Sequence, residues 1–170
     1  MGRMDQLALG DLSPVVRKTI VVPPPAAAAE FTTTVPGDQV WNVLAVRCTF
    51  TTSAVVGARQ PAIQIGDGVQ QVLSATLGPS IAASIGVRIS YVPGMANPTT
   101  NLVPDNAVPL PPVLVLGPGF VISSLTGTIQ AGDQYSGITV WIEQQLSGVT
   151  ALSLARQAAE DVYDEPTAFL

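Results

Sequence analysis

Residues 44–51 read Leu-Ala-Val-Arg-Cys-Thr-Phe-Thr. Leu44, Val46, Cys48 and Phe50 are apolar, and Arg47, Thr49 and Thr51 between them are polar. A period of two with one apolar face describes a half-buried β-strand. The same rhythm returns at Ile85, Val87, Ile89 and Tyr91, and again at Ile138, Val140 and Ile142. Between these segments lie Pro61 to Ile65, with Ile63 and Ile65 on one face, then Val69 to Leu77, the apolar run Val113 to Leu116, and Phe120 to Leu125. Turn chemistry separates them: Gly66-Asp67-Gly68, Gly78-Pro79, Gly117-Pro118-Gly119 and the stretch Gln130 to Gln134. Pro93 to Pro112 reads as a long loop rich in Pro and Asn, of a length that usually serves binding or is held by a neighbour.

The ends differ from this body. Residues 1–38 read as an extended N-terminal arm. Val15 to Val22 and Phe31 to Val35 are strand-like, but Pro23, Pro24 and Pro25 interrupt any regular ladder and favour extended polyproline. Residues 39–146 form the body. In residues 147–170, Val149, Leu152, Ala155, Ala159 and Val162 recur at steps of three and four, which predicts a short amphipathic helix. Pro166 lies beyond its end, within an acidic tail. About eight strands at regular spacing followed by one helix predict an all-β fold. The expected architecture is an antiparallel β-sandwich, with a jelly roll as its eight-stranded version.

Composition narrows the function. Charged residues make up 11% of the 170 and hydrophobic residues 47%, with 15 Gly and 15 Pro. Disordered chains are rich in charge and poor in Val, Ile and Leu, so this balance instead describes many short strands whose surface meets a partner. The net charge is −5. Four acids, Glu160, Asp161, Asp164 and Glu165, stand in the last eleven residues, and the remainder is nearly neutral. One lysine and six scattered arginines make no basic stripe, so no nucleic-acid partner is expected. The long charge-free spans are broken by Gln, Gly and Pro and do not describe membrane helices. Met1 to Leu12 lacks the apolar run of a signal peptide.

Catalytic chemistry finds little footing. Histidine is absent, which removes the commonest general base and metal ligand. No enzyme activity and no cofactor or metal is expected. Cys48 is the one cysteine and reads as a buried small hydrophobe. Asp67 and Asp133 stand beside glycines, where Asp is ordinary turn chemistry, and the competing reading is a glycosidase pair. The acids at 160–165 read as a solvated tail or a loose calcium site. Trp41 and Trp141 fall on the less apolar faces of their strands, as subunit contacts or as platforms for a sugar ring. Together with Pro23, Pro24, Pro25 and Leu152 they are the candidate assembly contacts. A neutral apolar body implies a homo-oligomer, with a cyclic trimer expected.

Two segments carry a resemblance. Residues 35–68 read VPGDQVWNVLAVRCTFTTSAVVGARQPAIQIGDG, and residues 108–144 read VPLPPVLVLGPGFVISSLTGTIQAGDQYSGITVWIEQ. A Gly-Asp turn leading into a Trp-bearing strand, then a proline-rich run, a Gly-rich turn and a closing QAGDQ turn resemble small virion proteins of tailed bacteriophages. The resemblance spans about 70 residues directly and frames the body. It implies a jelly-roll capsid decoration (cement) protein in the virion, made in the host cytoplasm, with the major capsid protein as partner. It brings no catalytic residues. The alternative is a tail or fibre component that binds a host-surface glycan through Trp41, Trp141 or the 93–112 loop.

Overall fold

The computed structural model describes residues 15–95 and 104–146. Ten strands make up this part: β1 (Val16–Val22), β2 (Thr32–Thr34), β3 (Gln39–Thr51), β4 (Gln60–Gly66), β5 (Gln71–Thr76), β6 (Gly86–Pro93), β7 (Asp105–Leu110), β8 (Val115–Leu116), β9 (Val121–Gly127) and β10 (Gln134–Leu146). They form two sheets. The larger runs β1-β10-β3-β6-β7, with β8 also paired to β3, and the smaller runs β2-β9-β4-β5. All pairings are antiparallel except β6 with β7. The protein is all-β over these residues, and the predicted C-terminal helix, Leu152 included, lies outside them.

The pairing is nested along the chain. β1 pairs with β10, β2 with β9, β3 with β6, and β4 with β5. Successive pairs fall alternately in the larger and the smaller sheet. The chain therefore crosses between sheets at both ends of the sandwich. At one end the crossings are 23–31, 52–59, 77–85 and the β9–β10 turn at 128–133. These four segments make up the loop end of the sandwich.

One core fills the space between the sheets. Val46, Phe50, Ile89, Ile122, Val140 and Ile142 show no exposure. Each buried aliphatic or aromatic side chain of this size contributes about 1.5–3 kcal/mol of transfer free energy. Near the loop end of the core Tyr135 lies edge-on to Phe31 at 5.3 Å and tilted against Phe50 at 4.6 Å. Its hydroxyl shares a 2.6 Å hydrogen bond with Thr126 Oγ1. Burial pushes the Tyr135 phenol well above its ordinary pKa and the Cys48 thiol up to about 12, so neither ionises near neutrality.

Two β-bulges decide which side chains reach that core. Between Trp141 and Ile142 the partner on β3 jumps from Ala45 to Val43, leaving Leu44 as the extra residue. The bulge reverses the parity of β3. Val46, Cys48 and Phe50 point inward on one side of it, and Trp41 and Val43 on the other. Trp41 is thus a core residue with 2% exposure, correcting its placement on an outer face. Its indole N–H donates to Gln39 Oε1 at 2.8 Å. A second bulge between Ser136 and Thr139 uses Gly137 at φ 57° and carries the inward row from Tyr135 to Ile138, Val140 and Ile142.

Two further readings change. Asp105–Leu110, expected within a long loop, is strand β7, an edge strand parallel to β6 that accommodates Pro109. Over its described part, the expected arm joins the sheets. β1 is the edge of the larger sheet, β2 the edge of the smaller, and Val22, Phe31 and Val35 are buried in the core. The Pro23–Pro25 run bridges the two sheets. Pro23 and Pro24 are exposed, and the half-buried Pro25 accepts a 2.6 Å hydrogen bond from Gln134 Nε2.

The register predicts a sharp asymmetry within β10. Val140→Asp buries a carboxylate at a site with 0% exposure and should remove several kcal/mol from a total of about 5–15 kcal/mol. Thr139→Asp lies on the outer face and should cost less than about 1 kcal/mol. Paired thermal melts check the difference, and equal tolerance of both changes contradicts the register.

Candidate functional site

At the loop end two charged side chains lie fully buried against each other. Arg59 stands just before β4 and Asp133 just before β10, both with 0% side-chain exposure. Arg59 Nε donates to Asp133 Oδ2 at 2.9 Å and Nη2 donates to Oδ1 at 3.1 Å. A planar guanidinium fits a carboxylate in this two-pronged way, and lysine does not. Both side chains also bond the surrounding loops. Arg59 Nη1 donates to the Gly57 carbonyl at 2.7 Å and Nη2 to Ser53 Oγ at 3.2 Å. Asp133 accepts from the Ser53 amide at 2.7 Å and the Gln130 amide at 2.8 Å.

All four crossings at this end are tied to the pair. The Asp133 carbonyl accepts from the Ala28 amide at 2.8 Å, fixing segment 23–31. Arg59 exchanges both backbone hydrogen bonds with Ile81, fixing segment 77–85. The Ser84 amide donates to the Ser53 carbonyl at 2.9 Å. Glu30 accepts from Ser124 Oγ at 2.5 Å and the Thr126 amide at 2.6 Å, anchoring the start of β2 to β9.

Above this polar floor the surface is uncharged. Residues 51–58 and 77–85 contain no Asp, Glu, Lys or Arg. Val56 is 91% exposed and Val55 47%. Val56, Gly57, Ala58, Ser80, Ala82 and Ala83 line an open depression of about 530 Å³. Small side chains over a hydrogen-bonded base give a firm, apolar, shallow surface, suited to packing against another protein.

The outer face of the larger sheet is different in kind. Arg17 pairs with Glu143 at 3.0 Å, Asn42 Nδ2 donates to the same carboxylate at 3.0 Å, and Arg88 pairs with Asp105 at 2.7 Å. The hydrogen bonds from Asn42 and Arg17 hold the Glu143 carboxyl below its ordinary pKa. Trp141 is 46% exposed here, with the Arg47 guanidinium 5.6 Å from its ring centre. Arg47 therefore occupies one face of the indole that a stacked sugar would need.

Of the assembly contacts expected from sequence, Trp141, Pro23 and Pro24 are at the surface but are not brought together, and Trp41 is in the core. Asp67 and Asp133 stand at opposite ends of the smaller sheet. Gly66, before Asp67, pairs with Val121, whereas Gln60, after Arg59, pairs with Gly127. They cannot act as one carboxylate pair. Asp67 is a turn residue whose Oδ1 accepts from the amides of Val69 and Gln70 at 2.9 and 2.7 Å, and these bonds lower its pKa. Asp133 does more than shape a turn. Its partner lies 74 residues away, so no local motif announced the pair.

No protein-family model, curated protein or solved structure matches this chain.

The buried pair generates a pH prediction. Burial opposes ionisation of Asp133, but the Arg59 hydrogen bonds and the Ser53 and Gln130 amides outweigh it and hold the carboxyl at about 2. A depressed folded-state pKa means the contribution is complete above the ordinary value of 3.8 and is lost as pH falls towards about 2. Melting temperature should drop across that window in the parent, and much less in Asp133→Asn. Arg59→Met at neutral pH leaves the buried Asp133 carboxylate without its counter-charge, and should cost about 3–5 kcal/mol. Asp67→Asn should cost less than about 1 kcal/mol, because Asn supports the same turn.

Proposed function

We propose that this chain is a structural protein of a tailed-bacteriophage particle, a jelly-roll decoration protein that binds the major capsid protein and stiffens the head shell as an oligomer. The observation that carries the reading is the nested strand pairing. Eight strands taken as β1-β10-β3-β6 against β2-β9-β4-β5 follow the order obtained when an antiparallel ribbon of four strand pairs is wound into two sheets, which is the jelly-roll path. β7 and β8 are then additions between the sixth and seventh strands of that ribbon. The sequence resemblance in residues 35–68 and 108–144 supports the same reading.

The uncharged loop end is the surface proposed to meet the shell. An apolar patch without exposed charge loses little polar hydration on docking. Its hydrogen-bonded base keeps the loops in one arrangement, so little further order is lost on binding. The exposed indole of Trp141 favours the glycan-binding alternative less, because Arg47 covers one of its faces.

Val56→Asp tests the attachment. At 91% exposure the change should leave the melting temperature within a few degrees of the parent. Binding to head shells lacking the protein should weaken at least about tenfold, equivalent to about 1.4 kcal/mol. Cryo-electron microscopy of the particle then shows the protein over the shell. Undiminished binding of the variant, or density confined to the tail, contradicts the proposal.

A further inference from the structure

A β-sandwich of two open sheets has four edges, and each exposes a row of backbone N–H and C=O groups ready to pair with another chain. Leaving aside the two-residue β8, three of the four edges among the described residues carry a recognisable block. β1 bears Arg17 and Lys18. β7 begins with Asp105 and contains Pro109. β2 is three residues long and is followed closely by Pro36. The fourth edge is β5, Gln71-Val72-Leu73-Ser74-Ala75-Thr76, which has neither charge nor proline. Among the described residues it pairs with β4 alone. Gln71, Val72, Ser74 and Thr76 are exposed, Val72 at 66%. Val69 in the adjoining turn is 90% exposed.

The ladder tells which backbone groups are free to pair. The Leu77 amide donates to the Pro61 carbonyl at 2.9 Å. Alternation from Leu77 turns the N–H and C=O of Ala75 and Leu73 towards β4, and those of Thr76 and Ser74 towards the open side. A bulge opposite Ile65 and Gly66 places Val72 out of register, so the clean stretch is Leu73–Thr76.

We propose that the β5 edge pairs with β5 of a second copy of this chain, antiparallel about a two-fold axis, joining the two smaller sheets into one. The occupant follows from self-complementarity. In an antiparallel two-fold ladder centred on Ala75, Ser74 lies opposite Thr76 of the second copy. Each exchanges both of its open-side hydrogen bonds. No charge meets its own kind anywhere along β5, whereas self-pairing of β1 brings Arg17 and Lys18 of the two copies into one ladder. The outer face continues uncharged across the joint, because Gln64, Ser123, Leu125, Thr32 and Thr34 of the neighbouring strands carry no charge either. The elementary contact is therefore a dimer. A cyclic trimer needs a different surface and is compatible with it.

The contact is far smaller than the ~800 Å² per partner of a standard interface, so the dimer should form in the micromolar range. Sedimentation velocity over roughly 10–500 µM should show mass rising from 17.6 kDa towards twice that value. Hydrogen exchange supplies the strand-specific readout. The Ser74 and Thr76 amides should slow as concentration rises, and the Leu73 and Ala75 amides, already bonded to β4, should not change. Ser74→Pro removes an N–H that faces the open side, a position where an edge strand tolerates proline, and should abolish dimerisation while the melt remains cooperative. Ser123→Lys charges the same sheet on its central strand β9 and should leave the dimer intact. A monomer at every concentration overturns the proposal. So does a dimer in which the Ser74 and Thr76 amides exchange at an unchanged rate. Loss of the dimer in Ser123→Lys also overturns it, because it assigns the contact to the sheet face.

Discussion

The Arg59–Asp133 pair is the constraint on which the organised end of this sandwich rests. Strands that alternate between two sheets need long crossings, and crossings carry backbone groups that neither sheet satisfies. Here four crossings converge on two residues: segments 52–59 and 128–133 bond the guanidinium and the carboxylate themselves, and segments 23–31 and 77–85 bond the backbone of Asp133 and Arg59. Taking two charges out of water is costly, and a hydrophobic replacement of both often matches such a pair in stability. What an apolar pair lacks is direction. The fork of Arg59 and the two oxygens of Asp133 accept only one placement of Ser53, Gly57 and Gln130, and so hold the loops above them in one shape.

That shape matters because little else at this end is large. The surface over the pair is Ala, Gly, Ser and Val, residues with few contacts of their own and no charges to orient them. A loop of such residues without an anchor is free to move, and ordering it on binding costs entropy. With the anchor, the surface is already held in one shape. The same separation of duties appears across the molecule. The exposed ion pairs and the Arg47–Trp141 contact lie on the outer face of the larger sheet, whereas residues 51–58 and 77–85 at the loop end and the outer face of the smaller sheet carry no charge. Surfaces of such different chemistry suit a protein that meets neighbours on some sides and water on others.

The bulges show how a small backbone irregularity redistributes function. One extra residue at Leu44 moves Trp41 from the solvent side of β3 to the core, without any change in the sequence around it. Trp41 and Val43 join the core at the end of β3 where β8 pairs with it.

Much of the β-structure was legible in the sequence, because the alternation of apolar and polar residues is a local consequence of the strand period. Ile138, Val140 and Ile142 reach the core as their spacing requires, as do Val87, Ile89 and Tyr91. Turn residues such as Asp67 were legible for the same local reason. Three features were decided only by tertiary structure. The parity of β3 depends on a bulge set by its partner β10, so Trp41 could not be placed from β3 alone. β7 is held by parallel pairing with β6 and does not depend on its own propensity, which Pro109 weakens. Arg59 and Asp133 look like isolated charges in separate turns. They become a pair because the sheets bring positions 74 residues apart within 2.9 Å, and long-range pairing of that kind has no local pattern to announce it.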